Sequence, residues 1–200
     1  MGGSVFGVVL LFLGLEMYVR SPYVTDVGRP VDQPIPFSHK HHGSDDGIDC
    51  RYCHTTVETS AFAGMPSTST CMNCHSEVWL QSPALAPVRQ SAASGIPIRW
   101  NKVNNLPDFV YFDHSIHVQK GVGCSTCHGP IDQMPLTYKA QTFQMSFCLQ
   151  CHEDPAHFLR PREQVFAMDW TPPPNQDELG RQLMLAYHVQ SKISCSTCHR

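Results

Sequence analysis

Ten cysteines and twelve histidines give this chain of 200 residues its chemical character. All ten cysteines fall into five Cys-x-x-Cys pairs, and a histidine follows each pair directly. This CxxCH pattern is typical of c-type haem attachment, in which two thiols bind one porphyrin and the next imidazole binds its iron. The predicted thioether residues are Cys50, Cys53, Cys71, Cys74, Cys124, Cys127, Cys148, Cys151, Cys195 and Cys198, and the predicted proximal ligands are His54, His75, His128, His152 and His199.

Other sites that use Cys-x-x-Cys pairs fit this sequence less well. A zinc ribbon needs two such pairs but no adjacent histidine, and a dithiol redox protein needs only one pair. Histidine makes up twelve of the 200 residues. Five successive matches would therefore arise by chance about once in a million cases. The sequence predicts five covalent haem c groups.

Two histidine pairs are spaced to supply distal ligands on the second face of each porphyrin. His39 and His42 precede the first CxxCH motif, and His114 and His117 precede the third. Residues three apart lie on one face of a helical turn, so one turn can present two imidazoles to two different irons. Each pair has a phenylalanine two residues before its first histidine.

An internal repeat adds a fifth candidate for a distal ligand. Residues 117–128 align without gaps on residues 188–199, so His188 takes the place of His117. Leu185 stands where the repeat would carry the equivalent of His114. The chain thus resembles two two-haem modules followed by a half module. The predicted distal ligands are His39, His42, His114, His117 and His188.

Met145 and His157 are further candidates for distal ligands. Met145 lies three residues before the fourth motif, and His157 follows that motif by five residues. An iron with histidine and methionine ligands has a higher potential than one with two histidines. The alternative for Met145 is simple packing beside a porphyrin. His41 faces away from the His39/His42 side and is not expected to bind iron.

The elements that position these residues must be short. Five haems leave about 40 residues for each, so the porphyrins themselves must form the core. We expect a mostly α-helical and irregular multihaem cytochrome c with little regular secondary structure. Two-haem modules are predicted at 37–81 and 106–160, with Pro-rich extended linkers at 21–36 and 82–105. Residues 161–200 would hold a linker, a helix over 177–190 that carries His188, and the fifth motif.

Residues 1–20 are predicted to form an N-terminal transmembrane anchor. Residues 5–15 carry no charge, but Glu16 and Arg20 follow. The full segment would measure about 29 Å as a helix, close to the hydrocarbon thickness of a bilayer. The alternative is a cleavable signal peptide, although no A-x-A site follows. Either possibility places the haem domain on the periplasmic side of the cytoplasmic membrane. The net charge of −3 leaves no basic excess and disfavours an electrostatic nucleic-acid binder.

Three stretches of sequence carry a resemblance to known multihaem proteins. They are residues 37–42 before the first motif, residues 105–117 before the third, and residues 144–152 around the fourth. The first resembles the distal-histidine signature of class III multihaem cytochromes c. Together with the order and spacing of the five motifs, they resemble the pentahaem subunit of alternative complex III, a bacterial quinol:electron-acceptor oxidoreductase.

This resemblance implies a role for the chain as a non-catalytic electron conductor. Membrane and iron–sulfur subunits would oxidise quinol, and a monohaem cytochrome c or a blue-copper protein would receive the electrons. The lipid bilayer would be a further partner. Two alternatives stay open: a stand-alone membrane-anchored quinol dehydrogenase that feeds a periplasmic reductase, and a catalytic multihaem reductase. The last needs an iron without a distal ligand, whereas the candidate ligands here are at least as many as the irons.

Overall fold

Short helices joined by irregular segments make up the protein. The computed structural model describes residues 2–199 and contains no β-strand within that range, only isolated β-bridges. This confirms the predicted mostly helical and irregular fold. The helices are α1 (Gly2–Arg20), α2 (Pro22–Thr25), α3 (Cys50–Cys53), α4 (Thr68–His75), α5 (Ala86–Ser94), α6 (His114–Gln119), α7 (Cys124–His128), α8 (Met145–Glu153), α9 (Gln176–Ala186) and α10 (Cys195–Cys198).

Single helical turns position the functional residues. Each of the five CxxC segments lies within a helix, from α3 to α10, so its two thiols share one face. Asp49 caps α3 by accepting a hydrogen bond from the Arg51 amide at 2.8 Å. Asp113 caps α6 in the same way at the Ile116 amide. In the first histidine pair, His42 lies on a π-helical turn, Lys40–Asp45, and His39 directly precedes that turn.

The side-chain core is small for a chain of this length. Only Met134, Leu159 and Val165 are fully buried large side chains among the described residues. One apolar cluster joins Ile35, Leu85 and Val88. Such a core buries little apolar surface, in agreement with the expectation that porphyrins fill the space between the elements.

The prediction that residues 82–105 form an extended linker without helices is wrong. Residues 86–94 form α5, and Val88 on this helix is buried in the apolar cluster. Proline in the first helical turn favours helix formation because its missing N–H is not needed there. Gly95 ends α5 in a left-handed conformation, and its N–H donates to Ser91 O at 2.9 Å. The Thr68 and Ser91 hydroxyls, 2.6 Å apart, join α4 to α5.

The helix predicted over 177–190 is shorter than expected and ends before its histidine. α9 ends at Ala186, and His188 has a left-handed φ of 53°. This conformation cannot continue a right-handed helix. His188 therefore lies on the turn beyond α9.

The N-terminal segment is helical, but the predicted transmembrane helix is not supported. In the part of the chain that the structure describes, no helix combines the length and the apolar character needed to cross a bilayer. The uncharged run at 5–15 spans only about 17 Å as a helix. Arg20 and Glu16 form an ion pair at the end of α1.

Candidate haem sites

Eight of the ten cysteines are partly buried, and Cys74 and Cys195 are exposed. Burial raises the pKa of the Cys124 thiol to about 11 and that of the Cys127 thiol to about 12. Redox-active dithiols show the opposite shift, because their chemistry needs a stable thiolate. No cluster of three or more His, Cys, Asp or Glu side chains within residues 2–199 could hold a metal ion by itself. Both observations disfavour the redox-dithiol and zinc alternatives.

Hydrogen bonds at Nδ1 orient the five predicted proximal imidazoles. His54 donates to Gly64 O at 2.7 Å, and His152 donates to Lys192 O at 2.8 Å. The corresponding acceptors are Val78 O for His75 at 3.0 Å and Phe109 O for His199 at 3.2 Å. A proton held at Nδ1 leaves the Nε2 lone pair free to bind a metal, and the hydrogen bond fixes the ring orientation.

The fifth proximal imidazole, His128, contacts the side chain of Asn104. The Asn104 amide nitrogen lies 3.1 Å from His128 Nδ1, and the buried Asn104 Oδ1 has no hydrogen-bond partner. Amide nitrogen and oxygen are interchangeable by a 180° rotation. That rotation puts Oδ1 on Nδ1–H and satisfies both groups. Sequence reasoning did not identify Asn104, because no motif marks it.

Four other histidines also have a hydrogen-bond partner at Nδ1, which leaves Nε2 free to bind a metal. His42 and His117 each donate from Nδ1 to the carbonyl oxygen four residues earlier, at 2.9 and 2.6 Å. His114 donates to Ala61 O at 2.8 Å, and His39 Nδ1 lies 2.9 Å from the Thr137 hydroxyl. Burial lowers the pKa of His39 to about 4, so this imidazole is neutral at physiological pH.

Three of these imidazoles face a proximal imidazole across a gap that fits one iron. The ring centroids are 6.1 Å apart for His42 and His75, 6.2 Å for His117 and His152, and 6.4 Å for His114 and His128. A metal–nitrogen bond of about 2.0–2.1 Å, with the ring centre about 1.1 Å beyond the nitrogen, gives a separation of about 6.3 Å. The residues present therefore fit irons with two axial histidines.

His39 is the remaining prepared imidazole, and it lies near the first motif. Its pKa is lowered first by burial and next by the charge of His54, ahead of the charges of His128 and His42. Pairing of His39 with His54 would give both modules the same pattern. In the second module, His114 lies opposite the first CxxCH motif of that module. In both modules, the second histidine of the pair lies opposite the second motif of the module.

Phenylalanine side chains brace both histidine pairs. Phe37 stacks on His42 at 4.6 Å and meets the edge of His39 at 5.0 Å. Phe112 repeats this arrangement, stacked on His117 at 4.4 Å and edge-on to His114 at 4.8 Å. The phenylalanines noticed in the sequence thus hold the two imidazoles of each turn in fixed orientations.

The thiols also show which motifs are neighbours in space. Burial raises the pKa of each of these cysteines, and a thiolate from another motif raises it further. The charge of Cys71 raises the pKa of Cys53, and the charge of Cys50 raises that of Cys124. The charges of Cys148 and Cys151 raise the pKa of Cys127, and the charge of Cys198 raises that of Cys148. These effects indicate that the second motif lies near the first, the first near the third, the third near the fourth, and the fourth near the fifth.

Three other candidate ligands are not held by neighbouring groups opposite a proximal imidazole. His157 Nδ1 lies 3.5 Å from Asp177, and its side chain is exposed. The His188 imidazole makes no hydrogen bond, ion pair or ring contact with the described residues. Met145 is 66% exposed at the start of α8. These three assignments stay predictions.

Sequence reasoning also missed a buried cation beside the third motif. Arg160 is only 4% exposed, and its guanidinium donates to the Ser125 and Thr126 hydroxyls at 3.1 and 3.2 Å. These are the two residues between the cysteines of that motif. The guanidinium also lies 4.4 Å above the Trp170 ring, and no carboxylate in the described chain pairs with it.

Comparison with known proteins agrees with this geometry. Residues 110–200 match the family model described as cytochrome c7 and related cytochrome c. The chain is also 35% identical, over 147 residues, to a protein named "Menaquinone reductase, multiheme cytochrome c subunit" from Nitratidesulfovibrio vulgaris (strain Hildenborough). That alignment covers 63% of this chain and 70% of the relative. The chain belongs to the multihaem cytochrome c family, and membership of this family implies covalent c-type haem as the cofactor.

Proposed function

We propose that this chain is the electron-transfer subunit of a membrane quinone oxidoreductase complex and carries electrons along five covalently bound haems. Haem, when bound, supplies an iron that takes up and releases single electrons. The observation that carries the proposal is the set of imidazole pairs 6.1–6.4 Å apart, each of which fits one iron. The spatial sequence of the five motifs supports a single file of redox centres.

The side chains around each predicted iron favour conduction over catalysis. His42, His114 and His117 each lie opposite a proximal imidazole, and we place His39 opposite His54. With an imidazole from each of the two histidines of a facing pair as ligands, an iron held there would have no open position for a substrate. We therefore propose that the chain is not catalytic alone and that quinone chemistry takes place in partner subunits.

The fifth iron needs a different distal ligand, and we propose Met145. Met145 and Cys148 lie three residues apart on α8, so they share one face of that helix. Burial, and next the charge of Cys198 in the fifth motif, raise the pKa of the Cys148 thiol, which supports a position of this helix beside the fifth motif. His157, on the turn after α8, is the second candidate for this position.

The partners follow from the relative and from the resemblance of the sequence. The relative is named as a subunit of a menaquinone reductase. We propose membrane and iron–sulfur subunits as the neighbours of this chain, with its haem-binding part on the periplasmic side of the cytoplasmic membrane. In an alternative complex III type of assembly, quinol would supply the electrons, and a monohaem cytochrome c or blue-copper protein would take them.

The name of the relative favours a second candidate, in which electrons flow towards the quinone. The same row of haems would carry electrons to or from the quinone, since each iron can accept an electron from either neighbour and pass it to the other. Rapid mixing of the purified complex separates the two directions. Fast haem reduction by a menaquinol analogue supports quinol oxidation, whereas fast reduction only by a periplasmic cytochrome supports quinone reduction.

Gentle detergent extraction of native membranes tests the assembly itself. Haem staining after native electrophoresis, with peptide identification, shows what migrates with this chain. Migration with multi-span and iron–sulfur subunits is the expected result. Migration alone, with haems that quinol reduces, would contradict the complex and favour the stand-alone quinol dehydrogenase.

A further inference from the structure

The two complete modules follow one rule of ligand exchange. His42 faces His75 and His117 faces His152, so the second histidine of each turn serves the motif after its own. The first histidine serves its own motif, as His114 does for His128. Each helical turn that carries a histidine pair would thus supply one imidazole to each of two neighbouring haems.

The half module at the C-terminal side keeps only the second of these histidines. His188 aligns with His117, and both stand eleven residues before the proximal histidine of their own motif. Leu185 stands at the position that would serve the fifth motif itself. Under the same rule, His188 serves an iron beyond the fifth motif and not the iron at His199.

The residue before His188 is held in place by several contacts, while the His188 side chain is exposed. The neighbouring Tyr187 accepts a hydrogen bond from Lys120 Nζ at its carbonyl oxygen, at 2.6 Å. Its hydroxyl accepts from the Arg162 amide at 3.2 Å, and the Arg162 guanidinium lies 4.2 Å above its ring. The left-handed φ of 53° at His188 then turns the chain away from α9.

No neighbouring side chain binds the His188 imidazole in the described chain. Its side chain is exposed and has no polar or ring partner in the described chain. The Met184 carbonyl, four residues earlier, already accepts from the Val189 amide at 2.8 Å. Leu185 is 79% and Ile193 61% exposed on the same segment, which provides apolar surface for a porphyrin.

We propose that His188 is the distal ligand of a haem c that is held by a CxxCH motif other than the five of this chain. This inference rests on the proposed electron-transfer function, because it extends the file of irons by one position. The ligand it would take is a haem c with one open axial position, carried by a partner subunit or by a further segment of the natural protein.

Spin state in the haem-loaded full chain is the first test. His117→Ala is expected to convert one haem from low to high spin in electron paramagnetic resonance and visible spectra. His188→Ala is expected to leave all haems of the chain unchanged, since none of them uses this imidazole. A new high-spin haem in His188→Ala would overturn the proposal, because His188 would then bind an iron of its own chain. Failure of the proposed function is distinct, since the unsubstituted chain would then lack low-spin haems.

A haem peptide with one CxxCH motif and a vacant axial position is the second probe. The full chain is expected to convert one equivalent of this peptide to low spin. His188→Ala should weaken that binding at least tenfold, whereas His41→Ala, at a partly exposed histidine that contacts Asp46 and is not expected to bind iron, should not. Equal binding by His188→Ala and the unsubstituted chain would overturn the proposal.

The native complex shows where the additional iron resides. His188→Ala is expected to produce one high-spin haem in the complex. If the intact mass of the native chain corresponds to five haems, that iron belongs to a partner subunit, and a mass for six places it on the same polypeptide. A complex in which His188→Ala leaves every haem low-spin would contradict the assignment.

Discussion

Hydrogen bonding at Nδ1 divides the twelve histidines into two groups. Nine have Nδ1 within hydrogen-bond distance of a carbonyl, hydroxyl or amide, and these nine are the five predicted proximal ligands together with His39, His42, His114 and His117. His41, His157 and His188 lack such a bond. Because a fixed Nδ1 proton orients Nε2, this division predicts the iron ligands more specifically than the number of histidines does.

Substitution of His39 by alanine tests the pairing in the first module. One iron should lose its second imidazole, become high-spin and shift to a higher potential. A redox titration with visible spectra measures both effects. His41→Ala is the matched control, because His41 lies two residues away and instead contacts Asp46 and Trp79. An unchanged spectrum in His39→Ala would exclude His39 as a ligand.

The ligand of the fifth iron is tested by replacing Met145 with histidine. A change from histidine–methionine to two histidines is expected to lower the potential of one haem while keeping it low-spin. Spectroelectrochemical titration detects the shift. Met65→His is a suitable control, since Met65 is equally exposed but lies outside any helix. If both variants titrate like the unsubstituted chain, Met145 does not bind iron.

Arg160 is predicted to tune the haem of the third motif. Its buried charge favours the reduced state, which carries one positive charge less at the iron. Removal of that charge in Arg160→Gln should lower one potential by on the order of 1 kcal/mol, or about 40 mV for one electron. Arg51→Gln is the control, because Arg51 is exposed and paired with Asp49 at 2.7 Å. Equal shifts in the two variants would show that burial of the cation has no effect.

At the scale of the elements, α9 is held against the segment that follows the fourth motif. Gln176 is buried and donates to Ala156 O at 3.0 Å and to Leu159 O at 2.8 Å. Gly180, one turn further along α9, packs directly on the backbone of Ala156. This contact fixes α9, and with it the turn at His188, relative to the fourth motif.

The close approach at Gly180 predicts a large effect of a small substitution. A Cβ at this position would collide with the Ala156 backbone, so Gly180→Ala should destabilise the fold by about 1–3 kcal/mol. Denaturant unfolding of the haem-loaded chain measures the loss. Gly7→Ala on α1 has open space around its Cβ and should not destabilise. Unchanged unfolding of Gly180→Ala would show that α9 is free to move away.

At the scale of the whole molecule, the described protein core is too small to organise 200 residues by itself. The buried apolar side chains are few and scattered. The histidine pairs and the CxxC turns, by contrast, lie at the predicted porphyrin sites. Burial of apolar surface is the main favourable term in folding, so the porphyrins must supply much of it.

The chain without haem is therefore expected not to fold cooperatively. Expression in a compartment without haem attachment should yield a protein with little helical circular dichroism and no sharp thermal transition. The haem-loaded chain should show both, because the porphyrins complete the core. A cooperative transition in the haem-free chain, with helicity similar to that of the loaded form, would contradict this account.

The sequence by itself determined the cofactor chemistry. The CxxCH motifs and the HxxH pairs are local patterns, and local spacing decides which side chains share a helical face. The repeat between residues 117–128 and 188–199 is local in the same sense. These patterns predicted haem attachment, the helical and irregular fold, and the four histidines that the structure orients for metal binding.

Only the tertiary structure decided which histidine side chains lie opposite one another. The acceptors for His39 and His114 are Thr137 and Ala61, which lie 98 and 53 residues away in the chain. Arg160 approaches the third motif from 34 to 35 residues away. No periodicity or short motif encodes such separations, because they result from the packing of distant segments. The same packing set the spatial order of the motifs and left the His188 imidazole uncovered.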